Sequence, residues 1–259
     1  MIEPILEYYH FGPGVVAFST TRQGGYSRGS YGEFNINRYC GDSEACIQQN
    51  REALCCLLRI ADDRLLMPHQ VHLTEIVTID DALLQQPASV RRQSLEGKDA
   101  IMTDLPGVCI GVSTADCIPV LLYDPVHHAC CAVHAGWRGT VARIVEQSVQ
   151  AMEKTYSTCP QDLLAQIGPG ISLDSFEVGD EVYDAFSQAG FEMSSISRRV
   201  GKWHIDLPMC NQQQLIASGI PESHISVSSV CTYQHDGRFF SARRLGINSG
   251  RIYTGILLR

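Results

Sequence analysis

Residues 108–139 read VCIGVSTADCIPVLLYDPVHHACCAVHAGWRG, and this stretch decides the fold. Val108–Ser113 reads as a buried strand, and Cys117–Tyr123 as a second. Asp124-Pro125 with His127-His128 reads as a turn, and Ala129–His134 follows as a third strand. Next comes Gly136-Trp137-Arg138-Gly139, after which Val141, Ile144, Val145, Val149 and Met152 fall at helical spacing. A strand therefore runs through a glycine-flanked turn into a helix, a place where backbone N–H groups can face an anion.

Outward from this centre, Leu163–Ile167 is a short strand ended by Gly168-Pro169-Gly170, and Asp180–Ala189 has helical character. Asp206-Leu207-Pro208 predicts a helix start, with Asp206 as N-cap and proline in the first turn. That helix runs to Ser218, and Gly219 is the natural residue to end it. Ile225–Val230 and Ile252–Leu258 read as strands. The polar segment Gln85–Lys98 reads as a loop. Strands mix with helices without strict alternation, so the expected class is α/β (α+β), mixed sheets with helices outside.

Composition narrows the function classes. The chain has 259 residues, 44% hydrophobic and 19% charged, with a formal net charge of −8. An acidic chain without a basic run repels a phosphate backbone, which argues against nucleic-acid binding, though a local basic pocket for a small anion is compatible with it. No stretch approaches the roughly 18 uninterrupted apolar residues of a membrane helix. Met1-Ile2-Glu3-Pro4 lacks the basic start and apolar run of a signal peptide, so a cytoplasmic protein without a membrane partner is expected. The eleven cysteines are scattered and include no CxxC. Most read as reduced core thiols, with Cys109, Cys130 and Cys131 inside strands.

Three segments pair a metal-type residue with turn chemistry: Pro68-His69-Gln70-Val71-His72, Thr114-Ala115-Asp116-Cys117 and His134-Ala135-Gly136-Trp137-Arg138-Gly139. Taken singly, each histidine is an ordinary surface or core residue. Taken together they are more. If Asp124–His127 is a hairpin turn, Cys117 and His134 lie side by side at the outer end of two equal strands. A third ligand from the His69–His72 segment would complete a Cys/His/His site with one open position, the pattern of a catalytic zinc. A metal-free Cys–His pair acting as nucleophile and base fits the same spacing.

A wider set of motifs makes a family resemblance specific. These are Phe18-Ser19-Thr20-Thr21-Arg22-Gln23-Gly24-Gly25, Asn35, Gly41-Asp42, Asn50-Arg51, Gln70-Val71-His72, Ala115-Asp116-Cys117-Ile118-Pro119 and His134-Ala135-Gly136-Trp137-Arg138-Gly139. Ile167-Gly168-Pro169-Gly170-Ile171, Phe176-Glu177-Val178-Gly179, Cys231-Thr232-Tyr233 and Phe239-Phe240-Ser241-Ala242-Arg243-Arg244 follow in order. Over nearly its whole length the chain resembles the YfiH/laccase-domain family. Small departures are Gly170 where many relatives carry Cys, Ala242 where Tyr is common, and Phe34-Asn35-Ile36 where Asn-Leu is usual.

The resemblance implies one domain over residues 1–259, built as a four-layer sandwich of mixed sheets between helices, a fold shared with certain cysteine-dependent deamidases. It implies one zinc or copper ion per chain on His72, Cys117 and His134, with His69 outside the matched motif. It makes Cys117, Asp116 and Glu177 catalytic candidates, and Arg22, Asn35, Arg138, Arg243 and Arg244 candidates for holding substrate. Asp116 reads as a hydrogen-bond acceptor beside the ligand Cys117 or as a turn residue, with the site favoured, and Glu177 reads equally as a turn residue. Three activities attach to the family. The first is phosphorolysis of adenosine, inosine and methylthioadenosine, with adenosine deamination beside it, for which the partners are nucleoside and phosphate. The second is copper-dependent polyphenol oxidation. The third is hydrolytic editing of peptidoglycan precursors. A non-catalytic metal-binding scaffold is the remaining alternative, but structural zinc sites are normally closed by four protein ligands. Counting weakens the oxidase. A blue multicopper oxidase builds its copper centres largely from paired His-x-His motifs, and this chain has nine histidines and no such pair. A single Cys/His/His site would still accept copper.

Overall fold

Strands Ile118–Asp124 and Ala129–Ala135 form the expected hairpin, with Asp124 opposite Ala129 and Ile118 opposite Ala135. In the computed structural model, which describes residues 2–259, this hairpin is the middle of a six-stranded sheet. Leu164–Ile167 and Ile225–Val227 extend it on one side, Ala100–Thr103 and Ile76–Ile79 on the other. A five-stranded sheet holds Leu6–Tyr9, Val15–Thr20, Ile252–Leu258, Cys109–Thr114 and Leu65–Leu66 in that order. A small third sheet joins Glu177–Val178, Lys202–Ile205 and Ser197–Val200.

The two large sheets are stacked, and their alternating side chains build three apolar layers. Ile110, Val112 and Ile256 from one sheet meet Leu121, Ala132 and Cys130 from the other. On the far side of the six-stranded sheet, Val120, Leu122, Cys131 and Val133 pack under the helices Ile144–Tyr156 and Leu207–Ala217. On the far side of the five-stranded sheet, Phe18, Cys109, Tyr253 and Leu257 pack against Phe34 and the helix Glu44–Leu58. Both faces of each central strand are thus covered, which is why those strands read as continuous apolar runs rather than alternating ones.

Several local readings hold to the residue. Ile252–Leu258 is a strand, and the Asp206 carboxylate accepts the Met209 N–H at the head of the helix Leu207–Ala217. Gly219 follows that helix with φ of 94°, the left-handed region glycine adopts freely. Three readings are corrected. Gln85–Lys98 contains the helix Ala88–Ser94, which buries no residue and so carries no apolar period. The strand expected over 225–230 stops at Val227, because its parallel partner runs out at Ile167. The helix expected to run on from Val141 is broken. Trp137–Val141 is a five-residue helix, and Arg143 at φ of 63° turns the chain before Ile144–Tyr156 begins.

The feature that places the site is a change of sheet. Cys109–Thr114 lies in the five-stranded sheet and Ile118–Asp124 in the six-stranded one. The chain crosses between layers through Ala115, Asp116 and Cys117 alone, with Asp116 at φ of 87°. Cys117 therefore sits on the corner where the layers meet. No helix among the described residues is long and apolar enough to cross a membrane.

Candidate metal centre

His134 is buried near the end of its strand, and Cys117 lies just before the start of the paired strand. His72 comes from an exposed loop and takes a left-handed backbone, φ of 64°. One buried carboxylate gathers them. Asp99 Oδ1 accepts the His134 Nδ1–H at 2.7 Å and the His72 backbone N–H at 2.9 Å. Its Oδ2 accepts the backbone N–H groups of Val71 at 3.2 Å and Leu73 at 2.8 Å. The Asp99 carbonyl accepts the His134 backbone N–H at 2.8 Å. Since Asp99 takes the Nδ1 proton, Nε2 of His134 is the nitrogen left to bind an ion.

The ligand atoms of His72, Cys117 and His134 all lie within 4.8 Å of one another. A tetrahedral ion with bonds of about 2.0–2.3 Å needs its ligands roughly 3.4–3.8 Å apart, a separation that small side-chain rotations reach. Gly136 lies under the group. A Cβ there would stand 3.0 Å from His72 Cδ2, 3.1 Å from Cys117 Sγ and 3.7 Å from His134 Cε1. The donor set and this bare backbone fit one soft or borderline cation with an open coordination position. Gly136→Ala, whose backbone at φ of −67° tolerates alanine, should push the ligands apart by a few tenths of an ångström. Metal affinity is expected to fall roughly ten- to a hundredfold, as it does when groups supporting ligands are disturbed. Chelator competition would measure it, and unchanged affinity would count against the placement.

Electrostatics agree with the geometry. Burial pushes the Cys117 thiol up, but the charges and hydrogen bonds of His134 and His72 outweigh it and bring the thiol well below its ordinary value. Burial likewise lowers His134, and the Cys117 thiolate and Asp99 more than restore it, so its pKa is raised. Asp99 is raised by burial and lowered further by His134 and the loop N–H groups, ending below the usual carboxylate range. The thiolate is the form that binds metal.

His72, Cys117 and His134 form part of the wall of a cavity of about 280 Å³, and among the described residues no acidic side chain lines it. Tyr39 and His69 form another part of the wall, their rings stacked 3.8 Å apart, with His69 Nδ1 paired to Glu96. The substrate candidates lie elsewhere. Arg22 donates to the carbonyls of Gly32 and Asp236 and covers Phe240, so its guanidinium is spent on loop structure. Arg138 is exposed and stacks on Trp137. Arg243 donates to the Glu177 carbonyl, and Arg244 pairs with Asp236. None of these four arginines lines the cavity. The Asp116 carboxylate is taken by the Thr232 hydroxyl and the Arg243 backbone N–H, both at 2.7 Å. Glu177 is exposed and bound to Lys202 at 2.8 Å, whose hydrogen bond and charge hold it below the usual range. Asn35 is fully buried and braces a loop: its amide donates to Asp42 and its carbonyl accepts the backbone N–H of Arg251.

Asp99, Tyr39 and Arg251 belong to the site and were not picked out by sequence reasoning. Asp99 stands just before the strand Ala100–Thr103, behind a polar stretch, and nothing local marks it as a collector of N–H groups.

Comparison with known proteins places the chain. The family described as "Multi-copper polyphenol oxidoreductase laccase" matches residues 16–259. A Bacteroides thetaiotaomicron protein named purine nucleoside phosphorylase is 48% identical, covering 93% of this chain and 90% of that protein. A protein named adenosine deaminase RL5, from an unknown prokaryotic organism, is 42% identical over 94% of each. The crystal structure of YlmD from Geobacillus stearothermophilus superposes with a TM-score of 0.88 at 31% identity, covering 95% of this chain and 93% of that one. That of the hypothetical protein YfiH from Bacillus licheniformis gives 0.89 at 28% identity, covering 97% and 99%. On sequence, on fold and on the motifs that build its His/Cys/His group, the chain belongs to the YfiH-like laccase-domain family.

Proposed function

We propose that this chain is a zinc-dependent purine nucleoside phosphorylase acting on inosine, adenosine and methylthioadenosine, with adenosine deamination as a second activity. The observation that carries this reading is the His72/Cys117/His134 group in a cavity that also holds the stacked Tyr39–His69 pair. A flat base needs such an aromatic face, and Tyr39 is 44% exposed to offer one. His72, Cys117 and His134 would hold the ion, which would supply Lewis acidity beside the substrate. Asp99 keeps His134 in the binding tautomer, and the Asp99-held loop carries His72.

In phosphorolysis a phosphate oxygen bonds to C1′ as the C1′–N9 bond breaks. The electron pair leaves with the base, and the proton of hydrogen phosphate ends on it. The products are the free base and ribose 1-phosphate. The similarity to a protein named purine nucleoside phosphorylase and to another named adenosine deaminase supports the two activities. The oxidase reading lacks the histidines for a multicopper centre. Eleven unpaired cysteines suit a reducing compartment, and we place the enzyme in the cytoplasm.

The test is incubation with inosine, with and without phosphate, followed by product identification. Hypoxanthine and ribose 1-phosphate are expected only when phosphate is present. Free ribose formed at the same rate in both would make the protein a hydrolase instead.

A further inference from the structure

The cavity beside the metal ligands contains one arginine, and its hydrogen bonding is incomplete in an informative way. Arg251 precedes the last strand of the five-stranded sheet. Its Nη1 donates to the carbonyls of Ser249 at 2.6 Å and Gly250 at 3.0 Å, and Nη2 to that of Ile247 at 2.9 Å. Its backbone N–H is held by the buried Asn35. A guanidinium has five N–H groups, and these bonds use three. Nε–H and one Nη2–H have no protein acceptor among the described residues, and no carboxylate pairs with this cation. A full positive charge is thus fixed in place by neutral carbonyls in a cavity without acidic residues. Two free donors on a planar fork suit a tetrahedral oxyanion.

A second observation comes from the opposite strand. Thr114 lines the same cavity, is 1% exposed, and its Oγ1 is buried with no hydrogen-bond partner. Thr114 is in register with Ile252, the residue after Arg251, so both lie at the same end of one strand pair. A buried hydroxyl without a partner is costly, and it is rare in a folded protein unless something binds it.

We infer that Arg251 and Thr114 form the subsite for inorganic phosphate, the co-substrate that meets the nucleoside at the metal. This rests on the phosphorolysis reading. It assigns the anion to a different arginine from the Arg22 and Arg138 of the family motifs, whose guanidinium groups lie outside the cavity wall.

The metal-loaded full chain tests it. Initial rates are measured against inorganic phosphate at saturating inosine. Arg251→Gln is expected to raise the phosphate KM roughly ten- to a hundredfold, with metal content unchanged and the inosine KM within about twofold. Arg251→Lys should recover only part, since lysine lacks the fork. Arg251 also clips its own loop, so Thr114→Val serves as the variant that keeps the fold. It preserves shape and removes an unsatisfied hydroxyl, which alone should be neutral or stabilising. Its phosphate KM is expected to rise severalfold. Unchanged phosphate KM in both variants overturns the assignment.

Binding is also read without turnover, as the rise in melting temperature that inorganic phosphate gives the metal-loaded protein. If the wild type cleaves no inosine but loses this phosphate effect in both variants, the anion subsite stands and the phosphorylase reading falls. Inosine 5′-monophosphate separates free from esterified phosphate. Faster cleavage of the monophosphate than of inosine would assign the subsite to the substrate's own phosphate and overturn the co-substrate role.

Discussion

Cys117→Ala is expected to remove the metal and the nucleoside activity together. Cys117 is the only thiolate in the group and sits where the chain passes from one sheet to the other, facing both histidine rings. With the thiol gone, two neutral imidazoles remain, a weak and incomplete set for zinc. Elemental analysis should fall from about one equivalent per chain to background. Lewis-acid stabilisation is worth several kcal/mol, so kcat/KM should drop by roughly three orders of magnitude or more. The fold should survive, because the neighbouring corner is held by Asp116 through Thr232 and Arg243 rather than by the thiol. Cys56→Ala and Cys159→Ala, at exposed thiols remote from the cavity wall, serve as controls and should keep both metal and rate. Full metal occupancy in Cys117→Ala would overturn the three-ligand centre. Metal loss with undiminished turnover would point instead to chemistry that does not use the ion.

What could be read from the sequence followed burial. The strands 109–114, 118–124, 129–135 and 252–258 are covered on both faces, and their apolar runs show it directly. The Asp206 cap and Gly219 stop were legible because the chemistry that ends a helix is local. That Cys117 and His134 lie close together followed from two strands of equal length and a short turn between them, although in the register Pro119 rather than Cys117 stands opposite His134. Illegible features were those that depend on what lies across the fold. The apolar spacing from Val141 to Met152 is continuous, yet Arg143 breaks the helix by a backbone rotation that leaves no mark in the hydrophobic period. Arg138 looked like an anion holder because it follows a ligand histidine at a helix start. In three dimensions that helix is one short turn, and the guanidinium lies over Trp137 at the surface. Arg251 is set against the cavity only because the final strand returns between Val15–Thr20 and Cys109–Thr114, a pairing over more than a hundred residues.

Asp99 is the clearest residue of that kind, and Asp99→Asn is expected to be far from conservative. Its two oxygens accept four donors: the His134 Nδ1–H and His72 N–H on Oδ1, and the Val71 and Leu73 N–H groups on Oδ2. An asparagine amide has one oxygen and one NH2 group. Either way round, the NH2 faces two donors. One orientation evicts the loop that carries His72; the other sets the NH2 against His134 Nδ1–H and favours the wrong tautomer. The site is buried, so the mismatch is not relieved by bulk water. Loss of stability of about 2–4 kcal/mol is expected, from donors left unsatisfied around a buried position. Metal affinity should fall roughly ten- to a hundredfold at the same time. Asp99→Ala leaves space that water can fill, and it should cost no more than Asp99→Asn, the reverse of the order expected from similarity to aspartate. Denaturant unfolding and chelator competition on both variants decide the matter. If Asp99→Asn holds metal as tightly as wild type while Asp99→Ala does not, the carboxylate is a space-filling group and His134 is oriented by its strand alone.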